Sequence, residues 1–100
     1  MINHVVLFKL KEFESEQAKK EAIAEVKEGL LGLKDKIAEL KYIEVGTNYE
    51  VAAKSFDICL ITHFESLADL NVYAVHPEHL KVVDIVRKYA VDRAAVDFEF

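Results

Sequence analysis

The chain reads as one α+β domain whose elements follow the order β-α-β-β-α-β, and three observations predict it. Residues 3–10, 41–49, 56–64 and 94–100 alternate with period two, as half-buried strands do. Residues 14–33, between the first two of these, switch to a helical period. Residues 66–89, before the last, do the same but are interrupted by Pro77. This order is the split βαβ, ferredoxin-like arrangement, in which helices cover one face of a four-stranded antiparallel sheet. A length of 100 residues suits one such domain and is too short for two, so residues 1–100 form a single domain.

The first strand places His4, Val6, Phe8 and Leu10 on one side and Val5, Leu7 and Lys9 on the other. Both sides are largely apolar, as expected of a strand covered twice. In the first helix Ala18, Ala22, Ile23, Val26, Leu30 and Leu33 form the apolar stripe, opposite a charged face from Lys19 to Glu28. Ser15 is placed to cap it, with Glu16 in the first turn where the helix dipole favours an acid. Gly29 and Gly32 weaken its end, and a short helical piece over 34–40 is expected to follow. The second strand carries Ile43, Val45, Thr47 and Tyr49 on one side, with Gly46 as a candidate bulge.

Residues 50–55 read as a turn. The third strand sets Phe56, Ile58, Leu60, Thr62 and Phe64 against Asp57, Cys59, Ile61 and His63. Ser66 is the expected cap of a helix through about Tyr73, with Asp69 three residues on. Pro77 then opens a helix to about Tyr89, with His76 as its cap and His79 in its first turn. His79, Val83, Val86 and Ala90 share one stripe, so His79 points inward. In the last strand Ala94, Val96, Phe98 and Phe100 are in phase.

Composition narrows the function classes. About half of the chain is apolar (52%) and a third charged (31%), ordinary for a globular domain. A net charge of −5 argues against a nucleic-acid partner, which selects for a basic face. No segment reaches the roughly 18 apolar residues of a membrane span, and nothing at the N-terminus resembles a secretory leader. Cys59 is the sole cysteine, which fits a reducing, cytoplasmic setting. The sheet face away from the helices carries Val5, Leu7, Cys59, Ile61 and Ala95, a patch expected to be buried against a second copy. A homodimer through the sheet faces, two sheets closing a barrel, is the expected assembly.

The residues also resemble a known family, the stress-responsive A/B barrel domain, of dimeric α+β barrels. The resemblance covers essentially the whole chain. It rests on His4-Val5-Val6-Leu7-Phe8-Lys9, Phe56-Asp57, Phe64-Glu65-Ser66 and, most specifically, the run Tyr73-x-x-His76-Pro77-x-His79. It implies a dimeric barrel but no single activity: most bacterial members have no assigned reaction, and some plant members act in stress response. One plant branch, the olivetolic acid cyclase type, closes a linear polyketide by aldol chemistry. Its working tyrosine and histidine match Tyr73 and His79, and its strand-one histidine matches His4. The chain departs at Ile58, where the cyclase has a histidine.

His79, Tyr73 and His4 are thus the candidate catalytic residues of a pocket between sheet and helices, suited to a small apolar, aromatic or carbonyl ligand. A helix N-terminal position disfavours the imidazolium, so a neutral His79 suits a general base. The alternative is a structural histidine bonded to Tyr73 or to a backbone carbonyl. Tyr73 would hold a substrate oxygen, or else pack its ring and leave its hydroxyl in water. His4 either lines the same pocket or is a satisfied core histidine. His76 is accounted for by capping. No cofactor is implied, and no ligand set for a metal: His76 and His79 need not converge, and neither a cysteine pair nor a carboxylate completes them. Asp57 and His63 are expected at a dimer contact or rim, and Cys59 as a small core residue.

Three readings follow. The first is a small-molecule pocket with cofactor-free proton transfer beside a carbonyl, and the second a non-enzymatic structural or stress-response dimer. The third, by analogy of fold alone, is a cofactor-free monooxygenase. The first needs free volume between His79 and the sheet. The second needs that volume filled by Val6, Phe8, Ile58 and Leu80.

Overall fold

The structure, a computed structural model, describes residues 1–50, 52 and 54–100. Strand β1 (Ile2–Leu10) leads to helix α1 (Glu16–Leu31) and a single 3-10 turn (Gly32–Asp35). Strands β2 (Tyr42–Thr47) and β3 (Ile58–Phe64) follow, then helices α2 (Leu67–Val75) and α3 (Pro77–Arg87) and strand β4 (Ala90–Glu99). The sheet is antiparallel in the order β2-β3-β1-β4, the ferredoxin-like arrangement.

Local chemistry sets the helix boundaries. Ser15 Oγ accepts the N–H of Ala18 and Ser66 Oγ that of Asp69, so each serine caps its helix in extended backbone. His76 ends α2 and caps α3: its Nδ1 accepts the Glu78 N–H at 3.1 Å, and Pro77 occupies the position where no N–H is missed. The core lies between the sheet and the helices. Val6, Leu60, Ile58 and Phe64 from the sheet meet Val26, Leu30, Leu70, Tyr73, Val82 and Val86 from the helices. Leu33, Ile37 and Leu40 close the β2 end.

Several details depart from the pattern in the sequence. Of the expected helical piece over 34–40 only Lys34 and Asp35 are helical, as the end of the 3-10 turn. Leu33, Ile37 and Leu40 keep helical spacing and are all buried, but so short a segment cannot sustain a helix nucleus and packs irregularly instead. Gly46 makes no bulge: the β2–β3 register runs unbroken from Tyr42–His63 to Thr47–Ile58. The irregularity is at Lys9/Leu10, in the β1–β4 pairing. Strand β4 begins at Ala90 rather than 94, because pairing with Phe8, Lys9 and Leu10 holds Arg93, Asp92 and Ala90 extended although they show no alternation. Part of the expected 50–55 turn lies outside the described residues; within it, Ser55 N–H donates to Ala52 O at 3.0 Å.

Register also corrects two placements. Val5 stands opposite Val96 and Leu7 opposite Ala94, so Ala94, Val96 and Phe98 share the open face with Val5, Leu7, Cys59 and Ile61. Ala95, expected there, faces Val6 on the helix side. Asp57 is no rim residue. Its carboxylate is buried, accepts the Leu10 N–H at 2.7 Å and pairs with Lys19 of α1 at 3.0 Å. Burial alone pushes the acid's pKa up; the Leu10 N–H and Lys19 outweigh it and hold the carboxyl below its usual 3.8. His63 does lie on the open face, where its ring stacks on Tyr42 and meets Phe100 at 4.6 Å in each case.

Candidate functional site

The helices cover β2, β3 and β1 and stop short of β4, whose residues are exposed along nearly its whole length. Between β1, β4 and the α2–α3 pair lies a cavity of about 590 Å³. His4 and Phe8 of β1, Tyr73 of α2, His79 and Val82 of α3 and Arg93 of β4 are among its lining residues. The three residues picked out in the sequence, His4, Tyr73 and His79, therefore share one cavity. Val6 and Phe8 form part of its wall without filling it, and Leu80, which a purely structural role would need inside it, is 48% exposed. His76 is occupied as a helix cap.

The break between α2 and α3 sets the Tyr73–His79 geometry. Pro77 ends one helix and starts the next, so the last turn of α2 and the first of α3 sit together. The rings of Tyr73 and His79 are then 4.3 Å apart between centroids. His79 Nδ1 lies 3.1 Å from the carbonyl of Ala74. A carbonyl only accepts, so Nδ1 carries the proton and Nε2 of the neutral ring keeps its lone pair. Burial is the main cause that lowers the His79 pKa below 6.5. The Ala74 carbonyl opposes it, and the charges of His4, Arg93 and His76 reinforce it. The ring is thus a neutral base at pH 7, for a reason that is chiefly desolvation rather than its position in the first helical turn.

Tyr73 is 1% exposed, packed on Phe64 with ring centroids 4.9 Å apart. Its hydroxyl is buried with no hydrogen-bond partner among the described residues, which removes the alternative of a packed ring with its hydroxyl in water. Burial pushes its pKa up to about 12, with Arg93 opposing the rise, so it remains a donor throughout the physiological range. His4 Nδ1 bonds the carboxylate of Asp97, directly opposite it on β4. A carboxylate only accepts, so Nδ1 of His4 carries a proton and the ring orientation is fixed. The His4 carbonyl receives the Thr62 hydroxyl at 3.0 Å, which ties β1 to β3 beneath the cavity.

Sequence reasoning missed Asp97, Arg93, Arg87, Asp92 and Asn71; the last four line the cavity. Asp97 was legible in principle, since Ala94, Val96 and Phe98 in phase put it on the other face. Naming His4 as its partner required the register. Arg93 lay outside the strand that periodicity marked. Among the described residues no group of three His, Cys, Asp or Glu side chains is placed to hold a metal ion. Nor is any helix long and apolar enough to cross a membrane.

Comparison with known proteins places this architecture. The family model described as the Stress responsive A/B Barrel Domain matches residues 2–100. The chain belongs to that family. This A/B barrel domain is 31% identical over 98 residues to the stress-response A/B barrel domain-containing protein DABB1 of Arabidopsis thaliana. The match takes in 98% of the chain and 46% of the plant protein, so the chain spans about half the length of that relative. Among solved structures, a dimeric protein of ferredoxin-like fold from Bacteroides fragilis superposes on the A/B barrel domain with a TM-score of 0.89. It is 35% identical, over 99% of this chain and 95% of that one. A dimeric ferredoxin-like protein from Thermobifida fusca has a TM-score of 0.79 and 25% identity, over 99% and 90% of the two chains.

Proposed function

We propose that this A/B barrel domain pairs with a second copy through its open sheet face and binds a small, largely apolar molecule bearing a carbonyl in the α2–α3 cavity, where it moves a proton. One observation carries the ligand reading: the Tyr73 hydroxyl is buried, unpartnered and beside a neutral His79. An orphaned buried hydroxyl costs stability, on the order of 1–3 kcal/mol, and a ligand oxygen would satisfy it. In the proposed step His79 Nε2 takes the proton from carbon next to the ligand carbonyl. The C–H electron pair becomes the enolate π bond, the carbonyl pair moves onto oxygen, and the Tyr73 O–H donates to that oxygen. Return of the proton to another carbon completes an isomerisation; attack of the enolate carbon on a second carbonyl of the same molecule, whose π pair moves onto its oxygen and takes the proton back from His79, completes a ring closure. His4, held in place by Asp97, is the second imidazole lining the cavity.

Pairing is supported by the open face. Val96 and Phe98 stand 62% and 45% exposed there beside Val5, Leu7 and Ile61, and the dimeric relatives share the fold. Ile61→Lys is expected to give a monomer in sedimentation velocity. A variant that stayed dimeric would remove the sheet face from the interface.

The structural alternative has one observation in its favour, the His79–Ala74 hydrogen bond, which pins α3 to the end of α2. A nuclear magnetic resonance screen of small ketones and β-dicarbonyl compounds, read at Tyr73 and His79, separates the two readings. Ligand-induced shifts there, with hydrogen–deuterium exchange at the α-carbon lost in His79→Gln, support proton transfer. Silence across the screen leaves the histidine a helix tie.

A further inference from the structure

The cavity has a charge that the chain as a whole does not. The protein is acidic overall, at −5, yet the cavity is lined by two guanidiniums, Arg87 and Arg93, against one carboxylate, Asp92. Neither arginine forms an ion pair among the described residues: the salt bridges there use His4, Lys19, Lys36, Lys81 and Lys88. Asp92 turns one oxygen back to the Arg93 backbone N–H at 2.8 Å, and Asp97 is engaged by His4. Arg93 stands opposite Phe8 and His4 opposite Asp97, so the two share a sheet face, about 13 Å apart along the strands at four residues' separation. Tyr73 and His79 line the cavity from the helices, and the Arg93 charge reaches both. An unpaired guanidinium beside an apolar wall is a ready fork for two carboxylate oxygens.

Building on the pocket reading above, we infer that the molecule bound here is a carboxylic acid. Arg93 anchors its carboxylate and Arg87 supplies the second cation. The apolar body lies along Val82, Val83 and Val86, and an oxygen function several bonds from the acid reaches Tyr73. Arg93 is then the residue that selects the ligand class, and it takes no part in proton transfer.

The test uses octanoate and 4-phenylbutanoate beside their neutral amides, octanamide and 4-phenylbutanamide, titrated into the isotope-labelled full chain at pH 7. Each acid is expected to bind about tenfold more tightly than its amide, the scale of a charged hydrogen-bonded pair. Arg93→Gln should abolish that preference while leaving the amides unchanged, and Arg93→Lys should restore part of it. Lys20→Gln, an equal loss of charge on α1, should leave it intact. Equal binding of acids and amides by the parent, or a preference that survives Arg93→Gln, overturns the acid assignment and leaves the pocket standing. If none of the four shifts resonances at Tyr73 or His79, the pocket reading falls, and the acid assignment with it.

Discussion

Two buried polar groups, on opposite halves of the same helix-covered face, behave in opposite ways. Asp57 meets the Leu10 N–H and Lys19, in the half where α1 and the 3-10 turn seal β2 and β3 with Ile58, Leu33 and Ile37 at 1–2% exposure. Tyr73, in the half beside β4, has an equally buried hydroxyl and no partner. A saturated buried group supports the fold, whereas an unpartnered one weighs against it and calls for a use. The solid half therefore serves as scaffold and the hollow half is where the proposed site lies, although one sheet underlies both.

This contrast predicts substitutions of different size and sign. Asp57→Ala should have the largest effect, about 3 kcal/mol of lost stability in urea unfolding, because it strands both the Leu10 N–H and the Lys19 charge. A loss under about 1 kcal/mol would show that water replaces the carboxylate. Tyr73→Phe should act the other way, raising stability by about 1 kcal/mol while weakening any carbonyl ligand. If it destabilises, the hydroxyl has found a partner and the contrast fails.

The third prediction concerns pH. The His79 pKa is lower in the fold than its unfolded value of 6.5. The unfolded chain therefore binds the extra proton first as pH falls, and stability drops from about pH 6.5 down to the folded value, then levels. The thermal midpoint of the parent should fall over that window more steeply than that of His79→Gln; parallel curves would mean the ring is solvated. The smallest expected effect is at Arg93, which is exposed and unpaired. Arg93→Gln should change stability by less than about 0.5 kcal/mol, and a larger loss in the same urea titration would make it part of the scaffold.

Much of the site could be read without coordinates. Tyr73-x-x-His76-Pro77-x-His79 is a contiguous run in which a proline, a cap and an inward stripe obey local rules, so the position of His79 followed from helix geometry. Its partner, the Ala74 carbonyl, is five residues away and nearly as local. The partners of Asp97 and Arg93 were not legible, because the β1 positions they face are 85 or more residues away and the pairing depends on register. Ala95 shows the same limit, since a period-two pattern of small residues on an edge strand does not say which face is which.

The sequence by itself determined the element order, the caps at Ser15, Ser66 and His76, and the apolar content of both sheet faces, all set by interactions within a few residues. Only the tertiary structure decided that the helices stop short of β4, leaving a cavity in place of a packed layer. It alone decided, too, that Asp57 is satisfied while Tyr73 is not. Those outcomes depend on how far apart elements distant in sequence settle, which no local periodicity encodes.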